Sequence, residues 1–258
     1  MQAPLALQWF IDIGAIDEVV RLIKSGKESQ VYLTKRIKGD KVVYFAAKVH
    51  KPRDTRSFKK DKVYRASWYF SPDDHRIQRA VEHMTRYGRG VVGALWVDRE
   101  FEVLTKLWRN GASVPTPVLK QGNTILMAYI GEPERPAPKL CEIIMEPSEA
   151  DEALKQIMDN LKIFFESGLI HGDLSPFNIL YWKDKIWIID LPQAVDLYRN
   201  SDSMDLLYRD LINICEYFLK QGIHCYPDEL FNQITCLTYV AGRTYEDLLI
   251  LSNSTEGS

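Results

Sequence analysis

The sequence predicts an α+β protein in two lobes, a small antiparallel β-sheet lobe followed by a mainly helical lobe. Three observations carry this. β-branched and aromatic residues are concentrated in strand-sized runs between Glu18 and His50 and again between Val114 and Gly131. Helical apolar stripes dominate after Ser148, and a Pro-rich connection, EPERPAPK, separates the two regimes. The expected lobes are residues 1–131 and 132–258. A chain of 258 residues, 46% of them hydrophobic, is long enough for such cores to form without disulfide or metal staples.

The first strand reads EVVRLI from Glu18, followed by the polar loop SGKESQ, the strand VYLT, a turn at Gly39-Asp40 and the strand KVVYFAAKVH. Residues 51–93 have mixed charge, weak apolar periodicity and three glycines, Gly88, Gly90 and Gly93, which predicts a mobile insertion. From Leu95 to Asn110 the residues Val97, Phe101, Leu104 and Trp108 recur at helical steps, with Gly111 as the stop. Two short strands around Gly122-Asn123 complete the first lobe. The second opens with a helix whose expected capping box is Ser148 with Asp151, and whose stripe is Leu154, Ile157, Met158, Leu161 and Phe165, ended by Gly168. NILYW and KIWIID form a hairpin around Lys183-Asp184, and the chain from about Ser203 to Leu251 reads as helical. No internal repeat or low-complexity segment interrupts this order.

Composition excludes several classes. Lys plus Arg number 33 against 35 Asp plus Glu, a net charge of -2, so the molecule as a whole does not attract polyanions. Locally, Lys51–Arg65 carries seven basic against two acidic residues, a patch suited to RNA phosphates, although such runs are commonly solvated faces. Cys141, Cys215, Cys225 and Cys236 form neither CxxC pairs nor a dense scaffold and are expected to be reduced and mostly buried. The five histidines lack metal-ligand spacing, so zinc is not expected. The amino terminus lacks a basic n-region, and no apolar run approaches the roughly 20 residues of a bilayer span. The expectation is a cytoplasmic protein without a membrane contact.

The segment LIHGDLSPFNILYWKDKIWIID carries the strongest chemical signal. Asp173 and Asn178 are five residues apart, and Asp190 follows twelve residues later at a strand end. Phosphoryl transfer from ATP needs a carboxylate to orient or accept the acceptor's proton, and oxygen ligands to hold Mg²⁺ on the phosphates. Asp173 fits the first role, Asn178 and Asp190 the second, at the spacing of a kinase catalytic loop. The competing reading is a hairpin whose polar residues only make turns. Lys48 in FAAKVH and Glu100 on the following helix then fit a phosphate-aligning ion pair. Between the first two strands, Ser25, Gly26, Lys27 and Ser29 offer main-chain amides, hydroxyls and charge to a triphosphate, without GxGxxG or a Walker loop.

This combination resembles the RIO family of atypical serine/threonine protein kinases, through SGKESQVY, HGDLSPFNIL and IDLPQAVD, over about Glu18 to Leu251. The resemblance implies a two-lobed protein-kinase-like fold lacking an activation loop and peptide-docking subdomains. It also implies that Lys48 contacts the α- and β-phosphates and pairs with Glu100, that Met127 is the gatekeeper, and that the backbones of Ala128 and Ile130 hold adenine. ATP with Mg²⁺, or Mn²⁺ in its place, is the implied cofactor set. The chain mixes features of different branches, and with 17 residues before Glu18 it is expected to be a minimal, bacterial-type member without a winged helix.

Three functions remain open. The first is a kinase acting on Ser/Thr of a protein, or on itself. The second is an ATPase switch in ribosome assembly, contacting a ribosomal particle or rRNA through Lys51–Arg65, in which Asp190 becomes an aspartyl-phosphate. The third is a small-molecule phosphotransferase of aminoglycoside or choline type, which HGDLxxxN also resembles, although only 80 residues follow Asn178 to form an acceptor pocket.

Overall fold

The computed structural model describes residues 4–51 and 86–236. The chain divides into two compact units, Met1–Glu102 with Thr116–Pro136, and Val103–Pro115 with Ala137–Ser258.

The first unit is built on a five-stranded antiparallel sheet. Its strands are β1 (Glu18–Ser25), β2 (Ser29–Lys38), β3 (Lys41–His50), β4 (Pro117–Gln121) and β5 (Thr124–Ala128), in the order β1-β2-β3-β5-β4. β2 and β3 pair without a register shift from Ser29 opposite His50 to Lys38 opposite Lys41, and β5 then places Ile125 opposite Lys48. Because strand side chains alternate, Ala47 and Val49 point to one face and Lys48 and His50 to the other. The first face is covered by a helix, α1 (Leu5–Asp12), whose Leu7 and Phe10 pack with Ile16 against Val19, Tyr32, Ala47, Val49 and Leu126.

Helix α1 is an addition to the sequence expectation. Leu7 and Phe10 are fully buried while Leu5, Trp9 and Ile13 are exposed, so apolar residues surround the helix and no one-sided stripe announces it. The second helix also differs. α2 runs from Arg86 to Arg109 rather than from Leu95, continuing through Gly88, Gly90 and Gly93. Each glycine costs a helix only about 0.5–1 kcal/mol, so a segment anchored by Val97, Val103, Leu104 and Leu107 propagates through them. The rest of the expected insertion, residues 52–85, including the basic run after Lys51, lies outside the described residues.

The second unit contains α3 (Pro147–Glu166), β6 (Leu169–Ile170), the hairpin β7 (Ile179–Trp182) and β8 (Lys185–Ile188), β9 (Val195–Asp196), α4 (Ser203–Lys220) and α5 (Pro227–Thr235). Ile157, Leu161, Phe164, Leu211, Ile214 and Phe218 are among its buried side chains. The start of α3 corrects the expected cap: Pro147 is the first helical residue, and the Glu149 carboxylate accepts the Glu146 N–H at 3.1 Å. Ser148 and Asp151 therefore lie inside the helix. Lys183 and Asp184 both have positive φ, 52° and 58°, the geometry of a tight two-residue hairpin turn. The helical run after Ser203 is broken at Gly222 (φ +83°) and resumes at Pro227, while residues 237–258 lie outside the described residues. All four cysteines are free thiols, but only Cys215 is buried. Among the described residues, no helix is long and apolar enough to cross a membrane.

Candidate active site

In the first unit, the face of β3 that carries Lys48 and His50 meets Glu100 of α2. Lys48 Nζ donates to Glu100 Oε1 at 2.6 Å, and both residues are buried. His50 Nε2 lies 3.1 Å from Glu100 Oε2. Burial pushes the Glu100 carboxyl up, but the charge of Lys48 and the proximity of His50 outweigh it and hold the carboxyl below the ordinary range. Lys120 of β4 pairs with Asp98, two residues before Glu100, and ties α2 to the sheet.

Ser25 ends β1, Gly26, Lys27 and Glu28 form the connection, and Ser29 begins β2. The turn is closed by the Gly26 N–H donating to the Ser29 carbonyl at 2.9 Å. Met127 lies opposite Ala46 on the sheet. The Ala128 N–H donates to the Thr116 carbonyl at 2.8 Å, which leaves Ala128 only its carbonyl to offer an adenine amino group. Ile130 follows in the linker, where Arg21 of β1 donates to the Pro133 carbonyl at 3.2 Å and Tyr129 Oη to the Glu132 carbonyl at 2.9 Å.

In the second unit, Asp173 is exposed on the turn after β6. Asn178 Nδ2 donates to the Asp173 carbonyl at 2.8 Å, so the amide oxygen of Asn178 is turned the opposite way. The Ile189 N–H donates to the Asn178 carbonyl at 2.9 Å, and Asp190 follows with a left-handed backbone, φ 68°, and an exposed side chain. These bonds bring Asp173, Asn178 and Asp190 into one neighbourhood. An outward amide oxygen and two solvent-facing carboxylates are hard oxygen donors of the kind Mg²⁺ takes alongside phosphate and water. Among the described residues no cluster of three or more His, Cys, Asp or Glu forms a self-sufficient cage.

His171 lies beneath this hairpin, 1% exposed and stacked on Phe164, with Nε2 3.2 Å from the Ile189 carbonyl. A carbonyl only accepts, so Nε2 carries the proton. Burial pushes the ring's pKa down despite the nearby Asp190 and Asp173, which keeps it neutral.

The sequence reasoning missed a set of residues on α4. Asp210, fully buried, accepts the Gly172 N–H and the Leu174 N–H at 2.8 Å each. Arg209 donates to the Gly172 carbonyl at 2.6 Å, and Asn213 to the Leu174 carbonyl at 2.9 Å. The peptide groups on both sides of Asp173 are therefore held by one helix face. Burial pushes Asp210 up to about 7, against these two N–H bonds and the Arg209 charge. A signal was present: Asp210 sits three residues after Leu207 and four before Ile214, inside the apolar stripe of α4.

Residues 30–230 match the RIO domain family. The chain belongs to the RIO family. It is 27% identical over 248 residues to human serine/threonine-protein kinase RIO3, covering 92% of this chain and 46% of that protein. It is 30% identical over 228 residues to Schizosaccharomyces pombe serine/threonine-protein kinase rio1, covering 87% and 43%. The chain thus spans less than half the length of these relatives. Among solved structures it resembles the Rio2 kinase-ADP/Mg²⁺-phosphoaspartate complex from Chaetomium thermophilum, with TM-score 0.60 and 19% identity over 97% of this chain and 74% of that one. The shared fold is the two-lobed RIO kinase fold anticipated from the sequence.

Proposed function

We propose that this RIO domain is an ATP- and Mg²⁺-dependent phosphotransferase that passes the γ-phosphoryl group to a Ser or Thr hydroxyl of a protein, or of itself. The observation that carries this is the Asn178 amide bonded to the Asp173 carbonyl, with Ile189, the neighbour of Asp190, bonded to the Asn178 carbonyl, which supports reading the three as a proton acceptor beside two metal-binding oxygens. Asp173 accepts the proton of the attacking hydroxyl, and Asn178 and Asp190 hold Mg²⁺. The ion supplies charge neutralisation on the phosphates when bound. Lys48, aligned by Glu100, orients the α- and β-phosphates. Ser25, Gly26, Lys27 and Ser29 receive the phosphates, Met127 borders the base, and Ala128 and Ile130 hold adenine by backbone groups. Mn²⁺ serves in place of Mg²⁺, and the location is cytoplasmic.

The test is single-turnover reaction with γ-labelled ATP. Asp173→Asn removes transfer to an acceptor while leaving ATP affinity nearly unchanged, because this side chain meets the acceptor rather than the nucleotide. Wild-type transfer in that variant would falsify the assignment.

A second reading has its own observation, the exposed Asp190 carboxylate on a left-handed backbone. A carboxylate oxygen there attacks the γ-phosphorus, ADP leaves, and water hydrolyses the resulting acyl phosphate to phosphate and carboxylate. A phosphoaspartate is named for the Chaetomium Rio2 complex. The chain then acts as a timed ATPase on a ribosomal particle, with rRNA met through Lys51–Arg65. A base-labile, hydroxylamine-sensitive label that disappears in Asp190→Asn supports this reading, and label found only as stable phosphoserine refutes it.

A further inference from the structure

Lys51 belongs by sequence to the basic run, yet its charge is committed elsewhere. Side chains alternate along β3, so Lys48 and His50 turn towards Glu100 and Lys51 leaves in the opposite phase. Its Nζ donates to the Gly26 carbonyl at 2.8 Å and lies 3.4 Å from Ser25 Oγ. Its own backbone N–H donates to the Glu28 carbonyl at 2.9 Å. One residue therefore holds both ends of the turn between β1 and β2, in addition to the Gly26 N–H bond to Ser29.

This arrangement has a specific consequence for an anion. In a peptide unit the C=O and the following N–H point in opposite directions. Fixing the Gly26 carbonyl on a lysine ammonium turns the Lys27 N–H the other way, and keeps the Gly26 carbonyl dipole, which would repel an anion, on the ammonium. Gly26 itself is not required by its own backbone. Its φ lies outside the left-handed region, and an added Cβ would meet only the Ser29 carbonyl oxygen, at the ordinary distance of 3.5 Å. A bare Cα that the unliganded turn does not need, beside an oriented amide, suits a ligand that approaches the backbone closely and carries negative charge.

We propose that Lys51 is a positioning residue that sets the Gly26–Lys27 peptide for a nucleotide's polyphosphate. The inference rests on the reading of Ser25–Ser29 as the phosphate loop. Lys51 acts through the loop, so it governs affinity for phosphorylated nucleotides without touching the base.

The test is calorimetry of the full chain with Mg²⁺-ATP, Mg²⁺-ADP and adenosine, on wild type, Lys51→Met and Lys51→Arg, with thermal unfolding alongside. Loss of a charge-assisted bond that orients the loop lowers ATP and ADP affinity about tenfold in Lys51→Met. Adenosine affinity stays at its wild-type value while the unfolding temperature falls by only a few °C, and Lys51→Arg, which can still donate to the carbonyl, recovers most of the affinity loss. Unchanged ATP affinity in Lys51→Met overturns the inference. So does an equal loss for ATP and adenosine, which marks a merely structural tie. If the wild type itself binds ATP no more tightly than adenosine, the phosphate-loop reading has failed first, and this inference falls with it.

Discussion

Gly172 stands immediately before Asp173 and tests how the proposed base is held. Its φ is +76°, and a Cβ built there would lie 2.9 Å from the Gln193 carbonyl oxygen, closer than side chains come to backbone. Alanine therefore meets two penalties. A left-handed conformation costs a non-glycine residue about 1–2 kcal/mol. Relief of the contact must move a residue whose N–H is bonded to Asp210 at 2.8 Å and whose carbonyl is bonded to Arg209 at 2.6 Å. Weakening one such bond to a charged partner costs about 1.5–3 kcal/mol, so Gly172→Ala destabilises by roughly 3–5 kcal/mol. At about 2–4 °C per kcal/mol for a chain of this size, the unfolding temperature falls by about 6–20 °C. Displacement of Asp173 by part of an ångström lowers transfer from γ-labelled ATP about a hundredfold in the fraction still folded. Scanning calorimetry and single-turnover assays at a temperature below the transition measure the two effects. An unfolding temperature within about 2 °C of wild type, with normal transfer, would refute the claim that this backbone is fixed by packing and by α4.

The same substitution at Gly26 has the opposite expected profile: stability changes by less than about 1 kcal/mol and can rise, because alanine restricts the unfolded chain, while Mg²⁺-ATP affinity falls. Equal ATP binding in Gly26→Ala shows that no phosphate approaches that Cα. Glu100→Gln removes the charge balancing buried Lys48 and should destabilise by about 3–5 kcal/mol and lower turnover at subsaturating ATP. Glu100's carboxyl is held below its ordinary 4.5, so its stabilising contribution is present above that pH and lost as pH falls through the folded-state value; urea midpoints across pH should show this slope only in the wild type. Asp210 has the reverse sign. Raised from 3.8 to about 7, it keeps a proton in the folded chain that the unfolded chain has lost, so its contribution is full below about pH 4 and declines as pH rises through about 7. Asp210→Asn has no such proton, and an unfolding temperature whose pH slope between 4 and 7 matches wild type would contradict the assignment.

What could be read from the sequence was what is encoded locally. HGDLSPFN and IDLPQ hold the residues of the proposed chemistry at fixed short spacing, and the sheet strands β3 and β5 are strings of β-branched, aromatic and aliphatic residues between turn signals. Helix α1 was invisible because its exposed Leu5, Trp9 and Ile13 blur the stripe formed by Leu7 and Phe10. The true start of α2 was hidden by three glycines that local propensity reads as breakers and that tertiary anchoring overrides. Lys51 was grouped with a charge run by composition, whereas its partners Ser25, Gly26 and Glu28 lie earlier in the chain, across the β2–β3 hairpin whose pairing brings them close. Asp210 lies 36 and 38 residues from the backbone groups it binds, a separation at which spacing carries no information.

The division of labour around Asp173 follows from that last point. A carboxylate proposed to meet an incoming hydroxyl has to be exposed, and exposure removes the packing that fixes most side chains. Here the side chain is left to the solvent and the peptide groups either side of it are fixed instead. Four bonds come from Arg209, Asp210 and Asn213, which share one face of α4 at i, i+1 and i+4 spacing. A helix is a stiffer support than a loop, so precision is imported from α4 into a turn that could not supply it. The arrangement is demanding because Asp210 must be buried to reach both N–H groups, and burial is what pushes its carboxyl up to about 7. An acid that could be neutralised near physiological pH is retained at this position because only a carboxylate presents two acceptors to two donors that diverge around a single residue.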